Sequence, residues 1–376
     1  MTATVQLSLG GVPVAADFYD AIQALEVEER ADGAGSLVVR LPVNRTAAGD
    51  LQYVGDGMFE PSTNVSVVVT PEGQASECIF DGFVLAWKLH LDRTSGASTV
   101  EVWAEDASWL MNVSDTVREW TGMTDGDVAN AIFATYGFVP ADGNTDDDSP
   151  VHDDDAHSLF QRATDLRFLR SLARRNGKLC RVGCGDTPGV RTGYFVSPAV
   201  DGTPAATISL VDPETWSVDS LDFDWDVMRP TAIDASQVPL DDNSESSVPG
   251  DSTDSGLAPL DARDYPTYAG QTSTLVLTAT ADAPELAQRT AATLRDAGWF
   301  VRCHGETNVD RLGAMMRAGS VVAIEGAGSL QSGNWFVWDV QTQITVDRVS
   351  FRFTLMRNAM GPAPAGGLPG GLPGGL

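Results

Sequence analysis

The sequence predicts a mainly β fold with α+β insertions. Three observations carry that expectation. The closing block, 317–360, is a run of short apolar–polar alternations punctuated by glycines, which is how short strands joined by tight turns read. Residues 1–107 have the same texture. Between 108 and 205 the apolar period changes from that of strands to that of amphipathic helices.

In the first region, Val65, Val67 and Val69 put three branched side chains on one face of a strand. Residues 86–91 and 99–104 are the next extended runs, separated by a turn at 92–96. Short strands at this density favour a barrel or a sandwich. Pro13 fits a turn better than a central strand. The second region opens with a helix capped by Thr124, and Asp127 stands at the capping-box position. Val128, Ile132 and Tyr136 form its apolar stripe and Gly137 ends it. A second helix lies within 157–179. Leu166, Leu169, Leu172 and Ala173 face one side, and Arg167, Arg170 and Arg174 cover another. Gly177 ends that helix in the left-handed conformation, and a hairpin through 179–182 and 192–196 follows.

Between the two helices runs ADGNTDDDSPVHDDDAHS. Its spacing does not match a calcium-binding loop, so the acidic insert 141–156 reads as a solvated loop with His152 and His157 at the surface. Residues 206–233 return to strand text, with Val218, Leu221, Phe223 and Trp225 as apolar anchors. The stretch 240–264, rich in Ser, Asp, Pro and Gly, reads as a long loop or linker. A strand at 273–281 precedes a helix with Pro284 in its first turn and Leu286, Ala287, Thr290, Ala291 and Leu294 facing inward. Gly298 breaks this helix and WFVRC resumes as strand. After Met360, GPAPAGGLPGGLPGGL reads as a flexible tether or docking tail.

The chain has 52 acidic residues against 24 basic ones, a net charge of −28, with Lys88 and Lys178 its lysines. Phosphate backbones are bound by Lys and Arg that displace counterions, so direct nucleic-acid binding is not expected. The N-terminus has neither a basic start nor a long apolar core, so no signal peptide is expected. No apolar run is long enough to predict a membrane span. Synthesis in the cytoplasm follows as the expectation.

Little in the sequence points to chemistry. Nucleophile-elbow, phosphate-loop and H-E-x-x-H patterns are missing, and the glycines of GAGSLQSG lie between strands rather than before a helix. Ser244, Ser246 and Ser247 have no basic neighbour to activate them. Cys180, Cys184, Cys303 and His304 have the chemistry of zinc ligands but lack a second short-spaced pair, so free interior thiols are the simpler expectation. Two carboxylate groups, Glu26, Glu28 and Glu29 and then Glu101, Glu105 and Asp106, together with Trp103, Trp109 and Trp120, keep a glycosidase reading open. No catalytic, cofactor-binding or metal residue is assigned.

Four segments, in order, resemble the late control protein D family of phage tails, the hub half of contractile-tail and type VI secretion spike proteins. They are EVWAEDASWLM, TGMTDGDVANAIFATYGF, ATDLRFLRSLARRNG and the closing block. In the third, Asp165, Phe168, Leu169, Leu172, Ala173, Arg174, Arg175, Asn176 and Gly177 fill the family pattern. In the closing block, Gly319, Val321, Gly326, Gly328, Gly333, Val337, Phe353, Leu355, Arg357 and Asn358 do so, while Gln341 and Gln343 stand where relatives often have a histidine.

The resemblance implies two tube-like β-barrel domains plus a helix-containing peripheral domain. The first barrel would span 1–107 and the peripheral α+β domain 108–205. The second barrel would lie within 206–360, drawing on 206–233 and 310–358, with an acidic loop at 234–270 and a helical insertion at 274–308. A flexible Gly/Pro tail, 361–376, would follow. The resemblance further implies a non-catalytic baseplate hub, a homotrimeric ring that adapts a sixfold tail tube to a threefold spike. Its partners would be a tail tube or tube-initiator protein, a separate spike protein and other baseplate proteins, with no cofactor. Its location would be a virion tail baseplate or an extracellular contractile particle. The alternative is a tail-associated cell-wall hydrolase.

Overall fold

In the computed structural model, residues 3–94, 96–145, 149–152, 159–237, 246–252, 254–279 and 283–361 are described. The first region gives β1 (Ala3–Leu9), β2 (Val12–Pro13), α1 (Ala16–Ala21), β3 (Ala24–Arg30), β4 (Ser36–Pro42), β5 (Asn64–Pro71), β6 (Glu77–His90) and β7 (Thr99–Asp106). The middle region gives β8 (Asp115–Trp120), α2 (Asp125–Thr135), β9 (Val139–Pro140), β10 (Leu159–Thr164), α3 (Asp165–Asn176), β11 (Leu179–Cys184) and β12 (Arg191–Val196). Beyond it come β13 (Thr207–Ser209), β14 (Ser220–Trp225), β15 (Ala232–Gln237), β16 (Ser246–Ser252), β17 (Arg263–Asp264), α4 (Tyr265–Ala269), β18 (Thr274–Ala279) and α5 (Ala283–Gly298). The closing elements are β19 (Val301–Asn308), α6 (Val309–Leu312), β20 (Val321–Glu325), α7 (Gly328–Gln331), β21 (Gly333–Ile344), β22 (Val349–Arg357) and β23 (Ala359–Met360). The fold is mainly β with helical insertions.

The valine alternation on β5 does what its period dictates. Val65, Val67 and Val69 are all buried, in one core with Leu25, Val39, Val102, Phe351 and Leu355. That core spans both β regions because a 13-stranded sheet joins them, in the order β14-β19-β22-β21-β3-β4-β7-β6-β5-β1-β2, with β20 and β13 added beside β21.

This topology overturns the expectation of two tube-like β-barrels. Among the described residues no sheet closes on itself. Closing the first region would require β3 to pair back to β1. The outer edge of β3 is instead taken by β21, from Arg30↔Asp339 to Leu25↔Ile344. The same edge of β21 first pairs β20, from Ile324↔Gly333 to Val321↔Phe336. A register shift between Val337 and Asp339 in its ladder with β22 marks the handover. One long strand thus serves both regions, and β14 and β2 are left as the ends of an open sheet. Pro13, which cannot donate to a ladder, sits on the short terminal strand β2, as its chemistry requires.

The middle region has its own core. The Thr124 side chain accepts from the Asp127 N–H while the Asp127 carboxylate accepts from the Thr124 N–H, completing the capping box of α2. Val128 and Ile132 are buried, and so is Phe133. On α3, Leu166, Phe168, Leu169, Leu172 and Ala173 are buried, and Gly177 follows at φ 61°. A Cβ at Gly177 would come within 2.9 Å of the Ala292 backbone on α5, so this glycine is fixed by close approach as well as by its backbone angle. Leu169 is fully enclosed. Its replacement by alanine is expected to cost about 2–5 kcal/mol, read from denaturant midpoints at unchanged slope, and an unchanged midpoint would contradict the packing.

Three local readings change. The residues before α3 are not helical. They form β10, paired with β8 from Leu159↔Trp120 to Thr164↔Asp115. Within the stretch read as a long loop, β16 pairs β15, and Leu257 and Leu260 pack against the cluster around Trp299 and Phe336. Of the inward residues expected on α5, Leu286, Thr290 and Leu294 are buried, whereas Ala287 is exposed and Ala292 takes its place. His157, Ser244 and the tail 362–376 lie outside the described residues, as do 146–148 and 153–156 of the acidic insert and 238–245 of the acidic loop. Among the described residues, no helix is long and apolar enough to cross a membrane.

Candidate functional site

Direct cross-strand partners share a face, so the register sorts the sheet into two sides. One is the apolar core. On the other, Asp222, His304, Thr354, Asp339 and Arg30 form one row across five strands. Ser220, Glu306, Arg352, Gln341, Glu28, Ser36 and Glu105 form the next. This polar face runs without interruption from the second β region into the first. A depression of about 350 Å³ lies on it, lined in part by Glu28, Asp222, His304, Asp339, Gln341 and Arg352.

Ion pairs tie parts of this face together. Arg30 pairs Glu28 at 2.7 Å, Arg352 pairs Glu306 at 2.9 Å, and Arg40 pairs Glu101. Gln341 and Gln343 both donate to Glu26, at 3.1 and 3.2 Å. Burial holds the Asp339 and Glu105 carboxyls above the usual range.

Three polar clusters hold the regions to one another, the first half-buried and the other two built on the buried Asp81 and Asp125. In the first, Arg317 donates through Nε to Glu29 at 3.0 and 3.1 Å, through Nη1 to Glu77 at 3.0 Å, and through Nη2 to the Cys78 carbonyl at 3.0 Å. It ties the closing block to β3 and β6. Burial acts against its charge, but the facing Glu29 and Glu77 outweigh this and raise its pKa further. In the second, Asp81 accepts from Arg191 at 2.9 and 3.2 Å, from the Gly189 N–H at 2.7 Å and from Asn64 at 2.7 Å, fastening β6 to the β11–β12 hairpin. In the third, Asp125 at the start of α2 meets His152 Nε2 at 2.7 Å and accepts from Arg175 at 2.8 Å and Asn176 at 2.7 Å. His152 is therefore buried rather than at the surface. The carboxylate opposite it and the backbone bonds it shares with Met123 and Gly122 take the place of water.

The carboxylates that kept the glycosidase reading open are dispersed among these roles. Glu26 and Glu28 belong to the polar face and Glu29 to the Arg317 cluster. Glu101 pairs Arg40. Asp106 is buried beneath the sheet end and accepts from the Gly35 and Ser108 N–H groups, with burial pushing its pKa up to about 6. Trp109 packs on Phe83, and Trp120 is buried in the middle region with Nε1 donating to Gln161 at 3.0 Å. The residues weighed as zinc ligands also separate. Cys180 lies in the middle-region core and Cys303 in the sheet core, while His304, the next residue along β19, points to the opposite, polar face. Among the described residues, no group of three or more His, Cys, Asp or Glu is placed to hold a metal, and all four cysteines are free thiols.

Sequence reasoning passed over Arg317, Asp81 and Asp125. The available signal was a charged residue within apolar strand or helix-start text, yet their partners lie far away in sequence.

The fold is shared with solved tail and secretion proteins. A tail protein from Neisseria meningitidis MC58 superposes with a TM-score of 0.65 at 12% identity, covering 95% of this chain and 97% of that one. The 43 kDa tail protein of prophage MuSo2 from Shewanella oneidensis gives 0.64 at 14% identity, covering 95% and 99%. The E. coli c3393 protein, a component of the type VI secretion system described as structurally similar to T4 tail proteins gp27 and gp5, gives 0.54 at 12% identity, covering 95% and 79%. At these identities the likeness shows the fold. Among curated proteins, no relative matches the chain. By sequence, a family model described as the Alg8 N-terminal domain matches residues 3–346, and the chain belongs to that family.

Proposed function

We propose that this chain is a structural baseplate hub protein of a contractile tail or injection particle, in the role of the late control protein D family. Three copies form a ring that adapts a sixfold tail tube to a threefold spike. The observation that carries this reading is the match of nearly the whole chain to solved tail proteins, one of them from a prophage. The sheet supports it physically. It is open, and its terminal strands β14 and β2 leave backbone groups for neighbouring chains. Its polar face, rich in carboxylates, suits the lining of a passage because it repels acidic cargo. The chain has no catalytic turnover of its own in this reading. Its partners are the tube or a tube-initiator protein, a separate spike and other baseplate proteins, in a virion tail or an extracellular particle.

Mass measurement in solution tests assembly. Three copies are expected, either alone or once a tube or spike partner is added. The measurement is made at low and at high salt, because a net charge of −28 opposes association until it is screened. A chain that remains monomeric with both partners present at high salt would contradict the proposal.

A further inference from the structure

The polar face of the sheet ends in a groove. Next to the row of Asp222, His304 and Thr354 comes the row of Asp224, Arg302 and Met356, direct partners on β14, β19 and β22. The ladder between β21 and β22 shifts register between Val337 and Asp339, which makes Trp338 the extra residue. A bulge of this kind re-aims a side chain. The Trp338 ring lies 5.8 Å from Trp299 and 6.1 Å from Phe336. With Arg302, Met356, Pro230 and Leu275 it lines a depression of about 500 Å³. A second depression, of about 410 Å³, shares Trp299, Trp338 and the α5 residues Thr293 and Asp296 with the first, and adds Arg174 and Lys178. The two adjoin along the tryptophan pair. Their charge reverses that of the chain. Arg174, Lys178, Arg229, Arg295 and Arg302 line them against Asp32 and Asp296, in a chain with 52 acidic residues and 24 basic ones. Arg174 and Arg302 are exposed, and among the described residues neither is held in an ion pair.

We propose that this groove docks an extended acidic segment of another protein, one with an aromatic or aliphatic side chain set between its carboxylates. The apolar side chain packs against Trp338, Met356 and Leu275, the last of these 41% exposed. Carboxylates on either side of it meet Arg302 in one depression and Arg174 in the other. An apolar anchor gives affinity, and the flanking guanidinium contacts fix direction. A short segment brings few charges, so cations within a screening length of about 8 Å outweigh the more distant acids. A nucleic acid fits less well, because the chain's net charge of −28 opposes a polyanion along its whole length. A second copy brings the same −28. On the ring reading above, on which this choice of occupant rests, copies meet through the β14 and β2 edges, and the groove on the sheet face is left to a different protein.

The test uses the full chain and the fluorescence anisotropy of a fluorescein-labelled peptide in which phenylalanines alternate with aspartates. The same peptide with asparagine for aspartate, and an oligothymidylate of equal charge, are the comparisons. Saturable binding of the acidic peptide is expected, about tenfold tighter than that of the asparagine peptide and weakened by salt. Arg174→Glu combined with Arg302→Glu should weaken it about tenfold, and Trp338→Ala by a similar factor. Arg352→Glu, on the same face but outside the groove, should leave it unchanged. Circular dichroism checks folding, and the two exposed arginines keep the test decisive if Trp338→Ala does not fold. Equal affinity for the asparagine peptide, tighter binding of the oligothymidylate, or an affinity unchanged by the double arginine variant would overturn the proposal. So would a groove filled by a second copy, seen as no peptide binding and a lower mass for the double variant. A chain that forms its three-copy ring yet binds no acidic peptide overturns this inference alone, whereas a chain that binds the peptide but stays monomeric with its partners contradicts the ring and supports the groove.

Discussion

Replacing Asp125 by alanine is expected to destabilise the chain by about 3–5 kcal/mol, the range for breaking a buried ion pair by removing one partner. The carboxylate is nearly fully enclosed and meets His152, Arg175 and Asn176 together. Without it, their nitrogens lose a shared acceptor in an interior that offers few others. The effect reaches beyond the middle region, because Arg175 also faces Glu285 on α5 at 3.6 Å and Glu285 pairs Arg289 at 2.5 Å. The change carries a pH signature. Burial pushes the Asp125 carboxyl up, but the His152 hydrogen bond and the Arg175 and Asn176 contacts outweigh it, leaving the pKa below its ordinary value. An acid whose folded pKa lies below the unfolded one stabilises fully above the ordinary carboxylate range, about pH 4. It loses that stabilisation as pH falls through the folded value. Thermal unfolding followed from pH 7 to pH 3 should therefore show the gap between the original chain and Asp125→Ala narrowing below about pH 4. A gap that stays constant to pH 3, or no gap at pH 7, would contradict the geometry.

Arg317→Ala is expected to cost about 1–3 kcal/mol, less than Asp125→Ala, because the guanidinium is 28% exposed and Glu77 is 33% exposed. The guanidinium spans Glu29 on β3, Glu77 on β6 and the Cys78 carbonyl. Its removal leaves Glu29, on the inner side of the sheet, with its carboxylate uncompensated. Arg317→Lys should recover little, since one ammonium cannot reproduce a planar fork that serves three acceptors. Denaturant midpoints for Arg317→Ala, Glu29→Gln and the double variant give the coupling directly. A double variant no less stable than Arg317→Ala is expected, because the uncharged amide that replaces the Glu29 carboxylate needs no counter-ion. Additive losses would mean that the two groups stabilise independently.

What the sequence made legible was local. The caps and stripes of α2 and α3, the left-handed Gly177 and the valine face of β5 depend on neighbours a few residues apart. β10 escapes a reading by pattern because its polarity is inverted. Gln161 points inward to Trp120 and the Asp165 carboxylate, while Phe160 points outward, half exposed, so polarity gives the wrong face. The open sheet was illegible for a different reason. Whether β3 pairs β1 or β21 depends on strands about three hundred residues apart, and both edges offer the same alternation. The Arg317–Glu29 contact spans 288 positions and the Asp125–His152 contact 27, so neither leaves a periodic trace. The family resemblance supplied the fold's relatives but also the barrels, which the register of β21 excludes.

A symmetry-resolved image of the assembled particle tests the central claim most directly. The account predicts three copies of this chain in one ring, with a sixfold tube on one side and a threefold spike on the other, and with the polar face of the sheet towards the axis. A particle in which this chain is peripheral, present in a number other than three, or turned with that face away from the axis would contradict it.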